Sequence, residues 1–185
     1  MALKVVGIGG TTRDNSSSER ALRTALAAAE KYGAETELFG ADALDLPMYM
    51  PDAAVRTDKA RHLVEALATC DAVIIASPGY HGGPSGLVKN ALDYVEDLRE
   101  DVRPYFHGRA VGCIVCASGW QAAATTLVAL RSIVHALRGW PTPLGVCINT
   151  TAPTDDDDEQ LAMLGEQVVT MAQTFGAAAA MTRSA

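Results

Sequence analysis

The sequence predicts an α/β fold built on a parallel sheet, and three observations lead there. Apolar runs of strand length alternate with longer stretches of helical periodicity, the pattern of repeated βαβ units. Five such pairs can be counted along the 185 residues. Two of the apolar runs, moreover, end in glycine-rich turns that lead directly into a helical pattern, at Gly9-Gly10 and at Ser77-Pro78-Gly79-Tyr80-His81-Gly82-Gly83.

Taken in order, Leu3 to Gly9 is the first strand, since β-branched residues and leucine fill it. A helix is expected from Ser17 to Tyr32, with Gly33 at its C-terminal end. The second strand spans Glu35 to Phe39 and its helix Ala54 to Thr69. Ala72 to Ser77 gives the third strand and Ser85 to Leu98 the third helix. Ala110 to Ala117 is a continuous apolar run, as a strand buried on both faces requires, and Ala122 to Leu137 is the helix after it, with Gly139 beyond its end. Thr142 to Asn149 is the fifth strand, and Asp157 to Phe175 is a last helix closing at Gly176. The acidic run Asp155 to Glu159 precedes that helix, where carboxylates cap free N–H groups and complement the dipole, so capping is preferred over a metal site. The small-residue stretch Ala177 to Ala185 is expected to fray.

Composition narrows the function classes. With 49% hydrophobic residues, 20% charged and a formal net charge of −7, neither disorder nor a nucleic-acid partner is favoured. The length suits one domain over residues 1–185. The N-terminus enters a strand-length run with no signal-peptide pattern, and no segment has the uninterrupted apolar length to span a membrane, so a cytoplasmic protein is expected. Cys70, Cys113, Cys116 and Cys147 are too few and too scattered for a disulfide framework. Cys113 and Cys116 have the spacing of a redox or zinc half-site, but inside a strand positions three apart face opposite sides, and a structural role is preferred.

The turn after the first strand suits a phosphate. Thr11, Arg13, Ser16 and Ser18 offer hydroxyl donors and one guanidinium fork beside a helix N-terminus with unpaired N–H groups. Thr12 stands where a dinucleotide fingerprint needs its third glycine, and no Gly-Lys-Ser or Gly-Lys-Thr ending follows, so Rossmann and NTPase readings lose support. The second turn suits a flat ring, because its prolines and glycines let main chain approach whatever lies over it.

Four segments then carry a resemblance: Thr11-x-Arg13-x-x-Ser16-x-Ser18, Leu46-Pro47-x-Tyr49-x-x-Asp52, Ser77-Pro78-x-Tyr80, and Gly86-x-x-Lys89-Asn90-x-x-Asp93. In order and spacing the chain resembles the NADPH-dependent FMN reductase family from about Leu3 to about Asn149. The resemblance implies a flavodoxin-like three-layer sandwich, a five-stranded parallel sheet of order 2-1-3-4-5 with helices on both faces, and noncovalent FMN outside the carboxyl ends of the strands. Carried over by residue, it places the phosphate on Thr11, Arg13, Ser16 and Ser18 and the isoalloxazine on Pro78, Gly79, Tyr80, His81 and Gly82, with a third loop at Ser118, Gly119 and Trp120. Three positions depart from the family's habit: Thr11 where Ser is commoner, Gly79 where a longer polar residue is frequent, and Trp120-Gln121 where relatives often carry glycines. Lys89, Asn90 and Asp93 are taken as structural or subunit-contact residues. Tyr49, Tyr80 and Trp120 serve equally as edges of an aromatic cleft or as packing.

The implied activity is FMN-dependent NAD(P)H oxidation in two half-reactions, with ping-pong kinetics and a small acceptor such as a flavin or quinone. Hydride transfer needs no side-chain catalyst, and His81 is the one candidate general acid. The resemblance also implies a homodimer or homotetramer and allows a flavin-dependent monooxygenase as recipient of reduced flavin. Two alternatives stand beside it: a flavodoxin-type electron carrier, and a Rossmann dehydrogenase using Asp42 as its ribose-binding acid.

Overall fold

The computed structural model describes residues 2–183. Its first strand, β1 (Leu3–Gly9), lies in parallel between β2 (Ala34–Phe39) and β3 (Ala72–Tyr80). On its far side β3 pairs in parallel with β5 (Ala110–Ala117), and β4 (Gly83–Pro84) folds back on the end of β3. β6 (Trp140–Pro141) and β7 (Val146–Asn149) share the outer edge of β5. The sheet is therefore flavodoxin-like in class but has seven strands rather than the expected five: its path runs β2-β1-β3-β5-β6, with β7 also on β5 and β4 antiparallel on β3.

The split between β6 and β7 corrects the single strand expected from Thr142 to Asn149. Trp140 and Pro141 pair with Ala110 and Val111, and Val146 resumes opposite Ile114, so four residues of this chain segment, 142–145, face two of β5. Pro141 and Pro143 lack the N–H that a ladder needs, and the surplus residues bulge out. The hairpin at β4 is a second addition, since the third strand runs three residues past the expected Ser77.

The connecting helices are α1 (Ser17–Lys31), α2 (Asp58–Thr69), α3 (Gly86–Asp93), α4 (Trp120–Ala136) and α5 (Asp156–Arg183). On one face of the sheet, Val5, Ile74 and Ile114 pack with Leu22 and Leu26 of α1 and Leu164 and Val168 of α5. On the other, Val6, Ile75 and Val115 pack with Leu63 and Leu67 of α2, Val88 of α3 and Leu130 and Val134 of α4. Each fully buried aliphatic side chain stabilises the fold by about 1.5 to 3 kcal/mol, so the two apolar layers dominate its energetics. Cys113 belongs to one layer and Cys116 to the other, and burial pushes both thiols up to about 12.

Three helices depart from expectation. α2 begins at Asp58 rather than Ala54, because the Thr57 side chain accepts from the Ala60 N–H and fixes the start there. α3 gives way at Tyr94–Leu98 to a 3-10 turn. α5 passes through Gly176 and continues over residues 177–183, where fraying was expected; four successive alanines are strong helix formers and carry the helix past the glycine. Residues 184 and 185 of that expected tail lie outside the described residues. Among the described residues no helix is long and apolar enough to cross a membrane.

Candidate functional site

The carboxyl ends of β1, β3, β5 and β7 meet at one edge of the sheet, and there the chain from β1 turns one way to β2 while β3 lies on the other side. A crevice at such a reversal is where open α/β sheets hold ligands. The loop from Gly10 to Ser16 crosses it. Thr11 Oγ1 accepts from Arg13 N–H at 3.1 Å and donates to Arg13 O at 3.2 Å, folding the loop tightly around this hydroxyl. Ser16 caps α1 by accepting from Glu19 N–H, and its hydroxyl lies 3.3 Å from that of Ser18. The Arg13 guanidinium is exposed and makes no hydrogen bond or ion pair among the described residues. Thr11, Arg13, Ser16 and Ser18 border a cleft of about 220 Å³, closed on its far side by Pro78, Gly79 and Tyr80 of β3 and by Ser118.

The second turn is a two-residue hairpin. Gly79 pairs with Pro84 and Tyr80 with Gly83, which leaves His81 and Gly82 at the tip with φ 52° and 84°. Positive φ at both central residues marks a type I′ turn, the form whose twist matches the strands it joins. Ser77 secures the base: its hydroxyl donates to Pro78 O and accepts from Ser85 N–H. A Cβ on Gly79 would stand 3.0 Å from Thr126 Oγ1 and 3.1 Å from Ala117 Cβ, so α4 packs too closely for a longer residue at this position. Gly79, His81 and Gly82 form one side of a larger cleft of about 620 Å³, facing Ser118, Gly119, Gln121 and Thr125. Nothing lies within 4 Å of the positions that Cβ atoms would take at Gly82 and Gly119.

Gly79 and Ser118 line both clefts, so the two lie side by side and are taken together as one depression. Its narrow end offers hydroxyls, an uncommitted guanidinium and a helix N-terminus; its wide end offers bare main chain. These residues fit a terminal phosphate at one end and a flat heterocycle at the other, the two ends of FMN.

Of the residues singled out in the sequence, Trp120 alone among the cofactor candidates borders neither cleft; it opens α4 with about half of its surface exposed. Tyr49 packs edge-on against Tyr94 and under the Arg56 guanidinium, so packing is its role here. Asn90 is buried and holds the 46–50 segment, accepting from Tyr49 N–H at 2.8 Å and donating to Pro47 O at 2.9 Å. Lys89 and Asp93 pair with each other at the surface. Asp42, the acid of the dehydrogenase alternative, is engaged by Lys59 at 2.9 Å. Other residues, not foreseen, also border the depression, among them Cys116, Ala117 and Thr150 at its narrow end and Ala122 and Thr125 at its wide end. The hydroxyl pair Thr150-Thr151 just after the fifth strand was a readable signal for the first of these ends; the side of α4 carrying Ala122 and Thr125 had none.

Comparison with known proteins agrees with this geometry. An FMN-dependent NADPH-azoreductase from Staphylococcus aureus (strain USA300) is 34% identical over 98 residues, a match covering 53% of this chain and 45% of that protein. The chain thus spans about half the length of the curated relatives it matches. Among solved structures, the flavoenzyme NAD(P)H:(acceptor) oxidoreductase from Paracoccus denitrificans superposes with a TM-score of 0.73 at 21% identity, covering 95% of this chain and 98% of that one. The flavodoxin-like, WrbA-like protein from Agrobacterium tumefaciens does so with a TM-score of 0.68 at 18% identity, covering 95% and 99%. At such identities the structures establish the flavodoxin-like fold alone. The sequence itself goes further, because residues 3–153, which contain both turns and the whole strand-helix alternation up to β7, match the model of one family: the chain belongs to the NADPH-dependent FMN reductases.

Proposed function

We propose that residues 1–185 act as one FMN-binding domain and as an NAD(P)H oxidoreductase. The observation that carries this reading is that the hydroxyl-and-arginine cleft and the glycine-lined cleft lie side by side, with Gly79 and Ser118 bordering both. Bound FMN would accept hydride from a nicotinamide and pass reducing equivalents to a second substrate. The residues of this chain bind and orient. Thr11, Ser16 and Ser18 present hydroxyls to the phosphate, and Arg13 offsets its charge with a fork of donors. Gly82, Gly83 and Gly119 keep side chains away from the ring, while His81, Gln121 and Thr125 line the wide cleft with polar groups. One open cleft serves both the nicotinamide and the acceptor, which supports alternate occupancy and ping-pong kinetics. A flavin, quinone or azo compound suits walls made of glycine main chain and small polar side chains. A homodimer or homotetramer, cytoplasmic placement and delivery of reduced flavin to a monooxygenase belong to the same reading; the exposed Met48 and Met50 beside the Asn90-anchored segment support a subunit contact.

The test is an anaerobic absorbance titration of FMN-loaded protein with NADPH and then NADH. Rapid bleaching of the flavin band is expected. A flavin that binds but is reduced by neither nucleotide would instead identify an electron carrier fed by another protein.

A further inference from the structure

Directly beneath the narrow cleft lies a carboxylate that does not border it. Glu19, in the first turn of α1, is only 5% exposed. Its Oε2 accepts from Asn15 N–H at 3.3 Å, and its Oε1 accepts from both Nε and Nη2 of Arg23, at 3.2 and 2.6 Å. In a capping box the acid three residues after the cap reaches back to the cap's own N–H; here Glu19 reaches one residue further, to Asn15. Asn15 stands in the left-handed region, φ 53°, and its carbonyl accepts from Arg20 Nη1 at 2.7 Å. The residue at which the loop becomes a helix is thus held at both of its main-chain groups. Glu19 also fills the space under the loop, since a Cβ on Gly10 would stand 3.5 Å from Glu19 Cβ and one on Gly40 3.4 Å from its Cδ.

A carboxylate below a phosphate site opposes the binding of a dianion. Arg23, one turn along α1 and with 58% of its side chain exposed, supplies the compensating charge. We propose that Glu19 and Arg23 form a positioning pair for the phosphate end of the site: Glu19 holds the Gly10–Ser16 loop from below through Asn15, and Arg23 neutralises Glu19 so that the cleft retains its affinity for a phosphate dianion. This inference rests on the FMN-site reading above.

Its test separates the phosphate from the ring. Fluorescence titrations with FMN and with riboflavin, which has the same ring and no phosphate, are made on the wild type, Glu19→Ala, Arg23→Gln and the double variant Glu19→Gln/Arg23→Gln, together with amide hydrogen exchange at Asn15 in flavin-free protein. Glu19→Ala should weaken FMN binding roughly tenfold or more through the freed loop, leave riboflavin within about twofold, and speed exchange at Asn15. Arg23→Gln should weaken FMN selectively and less so at high salt, and adding Glu19→Gln should restore it, because the uncompensated charge is gone. Arg23 is largely exposed, so its variants remain folded and informative if Glu19→Ala does not fold. Parallel losses of FMN and riboflavin, an Arg23→Gln variant with wild-type FMN affinity, or a double variant that recovers nothing would each overturn the pair. A wild-type chain that binds neither flavin would overturn the FMN reading itself, and exchange at Asn15 would then still decide the anchor: unchanged in Glu19→Ala, it fails.

Discussion

Two arginines at opposite ends of the sheet show how this molecule divides its polar groups. Arg13, at the carboxyl edge, is exposed, and its guanidinium engages nothing among the described residues. Arg109, at the start of β5 and the opposite edge, is fully buried, and all three guanidinium nitrogens donate to main-chain carbonyls: Nε to Cys70, Nη2 to Ala68, Nη1 to Tyr105 and, more weakly, to Arg103. Two of those carbonyls belong to the C-terminal end of α2, which has orphan acceptors and a partial negative charge. Burial pushes the Arg109 pKa down, and the carbonyl fork keeps the group supplied with acceptors. The same side chain is therefore architecture where its donors are consumed by the fold, and open to a ligand where they are not.

The comparison predicts different consequences for the two, the largest at Arg109. Arg109→Leu removes the side-chain donors to Ala68 O and Tyr105 O and one of the two to Cys70 O, and should cost about 3 kcal/mol or more in urea denaturation. Flavin affinity of the protein that remains folded should be unchanged. A loss under about 1 kcal/mol would mean that water or rearrangement replaces the fork with ease.

Arg13→Ala should do the opposite. It is expected to weaken FMN binding by about 1.5 to 3 kcal/mol, with thermal stability altered by no more than about 0.5 kcal/mol. Wild-type FMN affinity in a titration would remove Arg13 from the site.

The third prediction sharpens the contrast between open space and backbone demand within the site. Gly82 and Gly119 both face the wide cleft with nothing within 4 Å of a would-be Cβ, yet Gly82 sits at φ 84° and Gly119 at −174°. Gly82→Leu therefore combines steric blocking with a conformational penalty of about 1 to 2 kcal/mol, whereas Gly119→Leu, in extended backbone, should exclude the ring at little cost to folding. Flavin retention and melting temperature measured together separate the two effects. A Gly119→Leu protein that purifies as yellow as the wild type would place the ring elsewhere.

Much of the site was legible because its chemistry is local. Thr11, Arg13, Ser16 and Ser18 fall within one strand-turn-helix connection, so sequence spacing alone puts them around one point. The hairpin residues Pro78 to Gly82 are likewise contiguous. Trp120, expected in the third loop and as an aromatic edge, opens α4 and borders neither cleft, while its neighbours Gly119 and Gln121 line the wide one. Asn90 was read as a structural or subunit-contact residue, and the fold gives it a structural part by bringing Pro47 and Tyr49, more than 40 residues distant in sequence, onto its amide. The break in the fifth strand was written in Pro141 and Pro143, whose missing N–H groups outweigh the apolar run around them.

By itself the sequence determined the alternation of strands and helices, the two glycine-bearing turns and the family they signal, since periodicity, glycine placement and hydroxyl spacing act over a few residues at a time. Only the tertiary structure decided that the clefts beside the two turns are both bordered by Gly79 and Ser118, that Thr125 and Thr150 line them, and that the Arg109 guanidinium is consumed by the fold while that of Arg13 is not. Those outcomes depend on which helix lies over which strand and on where each main-chain carbonyl ends, and such long-range packing leaves no periodic mark in the chain.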